Sequence, residues 1–377
     1  MMEKIEKLQE ILKNDPSNFQ TRRELSILLS EKGFNEEALS NLQYLTKYFP
    51  EDAEIYYNIG ILYEKLKKFT DAKESYLKAI QISPQEDFYY NLGEVLVTME
   101  EWDEAIEAFQ QVLKTDPNDG NCYFNLGLCH YHKEEAHIAM DFFQRAINEN
   151  PEDVFAYFYL GSIYQNNGLT NFALENYKKI IEISPDYSWA HFNIASIFYK
   201  NGNLEEATEF LLKTVECNKM DIEAYKLLAK ILVKQNETKE IITILETRLE
   251  QEENGDLFYI LSQVYKNIGD IENYISNLEK AVENNLTLTY QLNLVRKELD
   301  NNKMKGELPV KEMEEYDFDD EDFNDSEEDE NEFDSEEDDI DEIDNFDENE
   351  DDEENSLYDE DFEDSDDDID GEEEDFE

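Results

Sequence analysis

The sequence predicts an all-α protein, a solenoid of stacked helix pairs followed by an acidic tail that does not fold. Three observations predict it. Six of the seven prolines, Pro16, Pro50, Pro84, Pro117, Pro151 and Pro185, stand 34, 34, 33, 34 and 34 residues apart, and a period of that length marks a helical repeat array. Within each period apolar residues recur at i, i+3, i+4 and i+7 in two separate stretches, the pattern of two amphipathic helices. The charge also divides: of 96 acidic residues, 43 lie in 312–377, where there is no Lys, Arg or His, so the formal charge of −64 falls as −43 there and −21 on the first 311 residues.

Residues 1–18 are read as a capping segment with one leading helix. The opening run MMEKIEKLQE mixes charges with apolar residues at helical spacing. It contains no apolar stretch that would act as a secretion signal or span a bilayer. A cytoplasmic location without a membrane partner is the expectation. Three cysteines, Cys122, Cys129 and Cys217, are too few and too scattered for a disulfide framework.

Residues 19–285 divide into eight units, starting near 19, 53, 86, 120, 154, 188, 222 and 255. In the unit 53–86, Tyr56, Ile59, Gly60 and Tyr63 lie on one helical stripe, Ala72, Tyr76 and Ala79 on a second, and Pro84 closes the unit. The next three units answer in register with Tyr89, Leu92, Gly93, Ala105, Phe109 and Pro117; with Tyr123, Leu126, Gly127, Ala139, Phe143 and Pro151; and with Tyr157, Leu160, Gly161, Ala173, Tyr177 and Pro185. The glycines Gly60, Gly93, Gly127 and Gly161 are expected where the two helices approach closely, with Ala72, Ala105, Ala139 and Ala173 as their small partners. Gly33, Gly168, Gly202 and Gly269 fall between the helices of a unit, where positive φ ends a helix. The prolines end the second helix. The last two units carry Ile241 and Tyr274 in place of the small Ala, so a wider splay and a change of curvature near 222 are expected. Residues 286–311 are read as a trailing helix over 287–299 with a linker; both end helices cover apolar faces that a solenoid would otherwise expose.

This pattern of an aromatic, Leu-Gly, Tyr, Ala, an aromatic and Pro over 34 residues resembles the tetratricopeptide repeat across most of 19–285. The resemblance implies a right-handed superhelix whose concave side is lined by the first helix of each pair. It also implies a noncatalytic protein-interaction scaffold that holds a peptide or protein segment in its groove. Spacing divides each first helix in the same way. Unit positions 4, 7, 8 and 11 form the packed stripe, and positions 2, 6, 9 and 13 a second stripe that packing does not use.

Position 6 of four units is Asn58, Asn91, Asn125 and Asn193. A side-chain amide offers a donor and an acceptor to a peptide CO–NH unit, although Asn at this place is also common in the resembling family at large. Position 5 is aromatic in six units, with Tyr57, Tyr90, Phe124, Phe158, Phe192 and Tyr259, a stripe that serves equally for packing between units. Position 2 runs Gln20, Glu54, Asp87, Asn121, Phe155, Trp189, Glu223 and Asp256. Phe155, Tyr159 and Trp189 are therefore expected to form an exposed aromatic patch between acidic flanks, suited to an apolar side chain of a ligand; the competing arrangement has Trp189 tucked against the preceding unit. A heat-shock chaperone carboxylate clamp is not expected. The run that comes close starts at Arg23 and keeps Asn58, but it has Ile27 where the clamp has Asn, and Asp87 and Asn91 where the clamp has two bases.

Other chemistry is weakly signalled. Cys122, Cys129, His130, His132 and His137 are of types that suit zinc, but only the two cysteines share a helix face and His130 falls at a packed position, so no metal or cofactor is expected. No nucleophile–base pairing or phosphate loop appears, and the repeats use nearly all of the foldable chain, which disfavours an enzyme. The strongly negative balance disfavours nucleic acid.

Residues 312–377 are read as a disordered acidic tail. Phe318, Phe323, Phe333, Phe346, Phe362 and Phe376 are spaced nearly singly among acids, as are Ile340, Ile343 and Ile369, an alternation that offers anchors to a basic partner. Ser326, Ser335, Ser356 and Ser365 each have an acid three residues on, the setting of an acid-directed kinase. The run 366–377 has carboxylate spacing like a calcium loop, with Glu373 where a hydrophobic residue belongs. The favoured function is a groove-binding adaptor with the tail as a second, electrostatic element. The alternatives are a chaperone for basic client proteins through the tail, and a scaffold whose own tail aromatics fill its groove.

Overall fold

The structure is a computed structural model of the 377-residue chain and describes residues 2–304. The tail at 312–377, its spaced aromatics, serines and calcium-loop-like run, and the linker beyond residue 304 lie outside the described residues. Among the described residues there are eighteen α-helices and no strand.

A lone helix, α1 (Met2–Asn14), precedes eight helix pairs. These are α2 (Phe19–Glu31) with α3 (Asn35–Thr46), α4 (Ala53–Lys65) with α5 (Phe69–Ile82), α6 (Glu86–Thr98) with α7 (Trp102–Thr115), and α8 (Gly120–His132) with α9 (Ala136–Glu149). They continue as α10 (Val154–Asn166) with α11 (Thr170–Ile183), α12 (Ser188–Lys200) with α13 (Leu204–Cys217), α14 (Ile222–Lys234) with α15 (Thr238–Leu249), and α16 (Gly255–Asn267) with α17 (Ile271–Glu283). A single 3-10 turn, Asn285–Thr287, leads to α18 (Leu292–Met304), so the trailing helix starts five residues later than its apolar spacing predicts. Val295 and Leu299 nevertheless form its buried face.

Local chemistry sets the helix ends. Asn18, Asp119, Asp153, Asp221 and Asn254 each accept a backbone N–H in the first turn of the first helix that follows, which satisfies a donor that has no partner within the helix. Between the helices of a unit the chain reverses through one residue of positive φ. It is Gly33, Gly168, Gly202 or Gly269 in four units, with φ of 69° to 79°, and Lys67, Glu100, Glu134 or Asn236 in the other four, with φ of 55° to 64°.

Each first helix packs against its own second helix and against the second helix of the preceding unit. Consecutive first helices also approach one another, α6 on α8 and α14 on α16, more closely than second helices do. The first helices therefore line the inner side of the curve.

At the close approach within a unit the nearest neighbour of each glycine is an aromatic ring. Gly60, Gly93, Gly127 and Gly161 lie beneath the rings of Tyr76, Phe109, Phe143 and Tyr177 from the second helix. Ala72, Ala105, Ala139 and Ala173 are fully buried elsewhere in the same interfaces. In the last two units, α14 and α15, with Ile241 in the place of alanine, make the loosest contact of the eight pairs, and α14 also packs on α16. α16 and α17 stay close, because the Tyr274 hydroxyl reaches out of the interface to Glu298 at 2.6 Å and accepts the Asn302 amide at 3.0 Å, both on α18.

Candidate peptide-binding face

The inner face is built from first-helix positions 2, 5, 6 and 9. The four asparagines are on it but are not equivalent. Asn58 is exposed and its Nδ2 donates to the carbonyl of Glu54 one turn back, at 2.6 Å. Asn193 does the same to Trp189 at 2.9 Å. Asn91 and Asn125 are half-buried: Asn91 is hydrogen-bonded to the hydroxyls of Tyr57 and Tyr76, and Asn125 Nδ2 donates to the Tyr90 hydroxyl at 3.4 Å. Two of the four thus tie a first helix to the unit before it. Spacing alone did not reveal this, since Tyr57 and Tyr90 lie about one whole repeat before their asparagines and Tyr76 lies on a different helix.

Position 5 packs both between units and within them: Tyr57 sits 4.7 Å from Phe88 of the next first helix, whereas Tyr90 meets Phe109 of its own second helix edge-on at 5.8 Å. Burial raises the Tyr57 hydroxyl above the usual phenol range, and the carboxylates of Asp87 and Glu54 raise it further. Burial likewise raises Tyr90, with Glu94 adding to it.

The aromatic centre differs from its expected form. Phe155 stays 41% exposed, 6.5 Å from Phe124 of the preceding unit, and Trp189 is half-buried. Tyr159 is not part of the patch. It is 6% exposed, stacks on Phe143 at 5.1 Å and touches Phe124, Tyr131 and Phe158. At position 6 a small amide can stay at the surface, whereas a phenol ring turns into the gap between units, where it removes more apolar surface from water.

Asp256, another position-2 residue, is buried at 1% exposure. The stretch after the 3-10 turn crosses it: the backbone N–H of Thr289 donates to its Oδ1 at 2.8 Å and that of Tyr290 also bonds to it, while Lys226 lies nearby. The Tyr290 ring then packs 4.3 Å from Tyr259, with the Lys226 ammonium 4.8 Å from it. Burial raises the Asp256 carboxyl, partly opposed by these donors. The last unit's inner face is therefore covered by the chain itself.

The cysteine and histidine group goes to separate partners. Cys122 Sγ donates to the Phe109 carbonyl at 3.2 Å, and burial pushes the Cys129 thiol up to about 12. His130 pairs with Glu135, while His132 stacks flat on Trp102 at 4.4 Å. No helix among the described residues is long and apolar enough to cross a membrane.

Stacked helix pairs with a repeat of 33 or 34 residues, and a polar and aromatic face on the inner helices, define a helical-repeat protein of the α-solenoid class. Sequence profiles of the tetratricopeptide repeat match residues 53–86, 90–154, 142–173, 166–231 and 255–287. The chain belongs to the tetratricopeptide repeat family. Among solved structures it is similar to MamA, at 27% identity over 43% of this chain and 95% of that one, with a TM-score of 0.41. It is also similar to YrrB, described as a tetratricopeptide repeat protein with an unusual peptide-binding site, at 26% identity over 48% and 95%, with a TM-score of 0.42. A tetratricopeptide repeat protein from Parabacteroides merdae aligns at 16% identity over 67% and 99%, with a TM-score of 0.45. No curated protein matches the sequence.

Proposed function

We propose that the protein is a noncatalytic adaptor in the cytoplasm that holds an extended segment of a partner protein along the inner face of 53–234. Phe155 and Trp189 would be the apolar anchor, with the exposed Asn58 and the half-buried Asn193 as the amides that no tyrosine of the preceding unit engages. The observation that supports this best is the exposure of Phe155: the other inner-face aromatics are half-buried or, at Tyr159, buried, whereas this ring in a central unit is 41% exposed. A large, rigidly held aromatic surface loses little entropy when a ligand side chain covers it. Residues 312–377, with 43 acids and no base, act as a second element that attracts basic partners.

The test is capture of partners by the full chain and by Phe155→Ala and Trp189→Ala. Loss of the same captured proteins from both variants is expected. Equal recovery of every partner would remove the groove from the reading. A second reading, a chaperone for basic clients, rests on the composition of 312–377 alone. It is separated by salt, since polyanionic capture weakens steeply between 50 mM and 200 mM salt and apolar anchoring does not.

A further inference from the structure

Both end helices keep the register of the repeat. Arg22 donates to the carbonyl of Pro16 at 3.1 Å, the same joint that Tyr123 makes to Pro117 and His191 to Pro185 between full units. Pro16 therefore stands where Pro84 closes the unit 53–86, and α1 is a second helix, with Lys4 at position 20, Leu8 at 24 and Ile11 at 27. At the other end Gln263 of α16 donates to Glu298 of α18, 35 residues on. The same separation of 35 residues joins Ser30 to Lys65 and Tyr90 to Asn125, each pair on consecutive first helices. α18 is therefore a first helix, with Val295 at position 7, Arg296 at 8 and Leu299 at 11. The helices run as one second helix, eight pairs and one first helix.

Each end helix makes the contact that joins one unit to the next, α1 on α2 and α18 on α17, and among the described residues neither has the partner of its own unit. The consequence is visible on α1. Position 27 is at most 6% exposed in all eight units, whereas Ile11 is 43% exposed. A second copy of the chain carries the missing half, since α18 of one copy laid on α1 of another would complete a unit and continue the solenoid head to tail. Such a contact does not close on itself and builds open chains.

A cation on each helix opposes this. Position 8 is Gly, Ser or Ala in all eight units and buried in each, but in α18 it is the exposed Arg296. Position 20 is also buried in all eight, six times as Ala, but in α1 it is the exposed Lys4, paired with Glu24 of α2 at 2.7 Å. Little negative charge is placed to compensate them. Glu3, Glu6 and Glu10 of α1 stand at positions 19, 22 and 26, which no unit buries, and Glu3 is bound to Lys7. On α18 Asp300 stands at position 12, while Lys303 turns back to Glu279 of α17. Joining would press the Arg296 side chain onto Leu8 where a small residue belongs, and would take two cations out of water in one interface. Overpacking and charge burial both oppose the contact.

We propose that α18 and α1 are complementary halves of one further unit, and that Arg296 and Lys4 keep one copy of the chain from being extended by the next. The inference is independent of what the inner face binds.

The experiment is sedimentation equilibrium of the full chain and its variants at physiological salt, with cross-linking in a mixture of isotopically light and heavy chains. Arg296→Ala places before Leu8 the pairing that Ala195 makes with Leu211, and Lys4→Ala restores the alanine of position 20. The two together should raise association between copies at least about tenfold, the factor that about 1.4 kcal/mol of relieved charge burial and overpacking gives. A photoreactive residue in place of Ile11 should then join light to heavy chains through 292–304, and should not do so in the parent. Adding Ile11→Asp, at an exposed site, should return association to the parent level. Light-to-heavy cross-links between these ends in the parent, a double variant that associates no more than the parent, or association that Ile11→Asp leaves unchanged would each overturn the proposal.

Discussion

The ring of Phe109 in α7 rests on the α-carbon of Gly93 in α6, so closely that a β-carbon on Gly93 would stand 2.6 Å from the ring. The same relation joins Gly60 to Tyr76, Gly127 to Phe143 and Gly161 to Tyr177. The other units solve it differently. Where the first helix has Ser26, Ala195, Ala229 or Ser262, the second has Leu42, Leu211, Leu245 or Leu278 at the facing place, and all eight are buried. Glycine goes with a flat aromatic ring, and a small side chain goes with leucine, because the interface holds a fixed volume at close packing.

Gly93→Ala should therefore lower stability by about 1–3 kcal/mol, the usual effect of overpacking. Phe109→Leu alone should also destabilise, by leaving a void. Combined, the two changes recreate the Ala195–Leu211 pairing and should be less damaging than the sum of the single changes, as read by thermal denaturation of all four proteins. Additivity would show that the pairing is not a coupled choice.

Tyr159 and Phe155 should separate folding from binding. Tyr159→Ala removes a ring packed on Phe143 and should destabilise by about 3–5 kcal/mol. Phe155→Ala should change stability by about 0.5 kcal/mol or less, as exposed substitutions do, and act on ligand affinity instead. Denaturation and binding measured on both variants check this.

The reversals at Lys67, Glu100 and Glu134 place non-glycine residues at φ of 55°, 58° and 64°, a conformation in which a β-carbon crowds the following carbonyl. Replacing each with Gly should raise stability by about 1 kcal/mol. Gly168→Ala, at φ 69° with nothing within 4 Å of the added carbon, should lower it by a similar amount through backbone strain alone. The thermal midpoints of the four variants decide the matter.

Asp256 gives a pH test. Its carboxyl is raised in the folded state by burial, so between its unfolded value near 3.9 and its higher folded value the folded chain holds more of this proton than the unfolded one. Linkage then makes its contribution fall as pH rises through that window. Asp256→Asn keeps an oxygen for Thr289 and removes the titration. Its stability relative to the parent should rise from pH 4 to pH 7 in denaturant titrations, and a difference independent of pH would show that the carboxyl is not the cause.

Periodicity made the repeat legible because each unit meets the same packing problem and solves it with the same residue sizes at the same places. Amphipathic spacing gave the helices and the prolines gave their ends, since both act through local geometry. The stripe at positions 2 and 6 was legible as a face, but the state of its members was not. Asn91 and Asn125 turn to tyrosine hydroxyls of the preceding unit, Tyr159 goes inward, and Asp256 is covered by residues more than thirty positions later.

The sequence by itself determined the all-α repeat, its period, the helix pairing and the division of charge between 1–311 and 312–377. Those follow from interactions within one helix or between neighbours in the chain. Only the tertiary structure decided which inner-face residues remain at the surface, which glycine meets which ring, and that Glu223 pairs with Lys226 while Asp256 is buried against Thr289 and Tyr290. Such choices depend on volumes and charges brought together by stacking one unit on the next, and no spacing within a single unit encodes them.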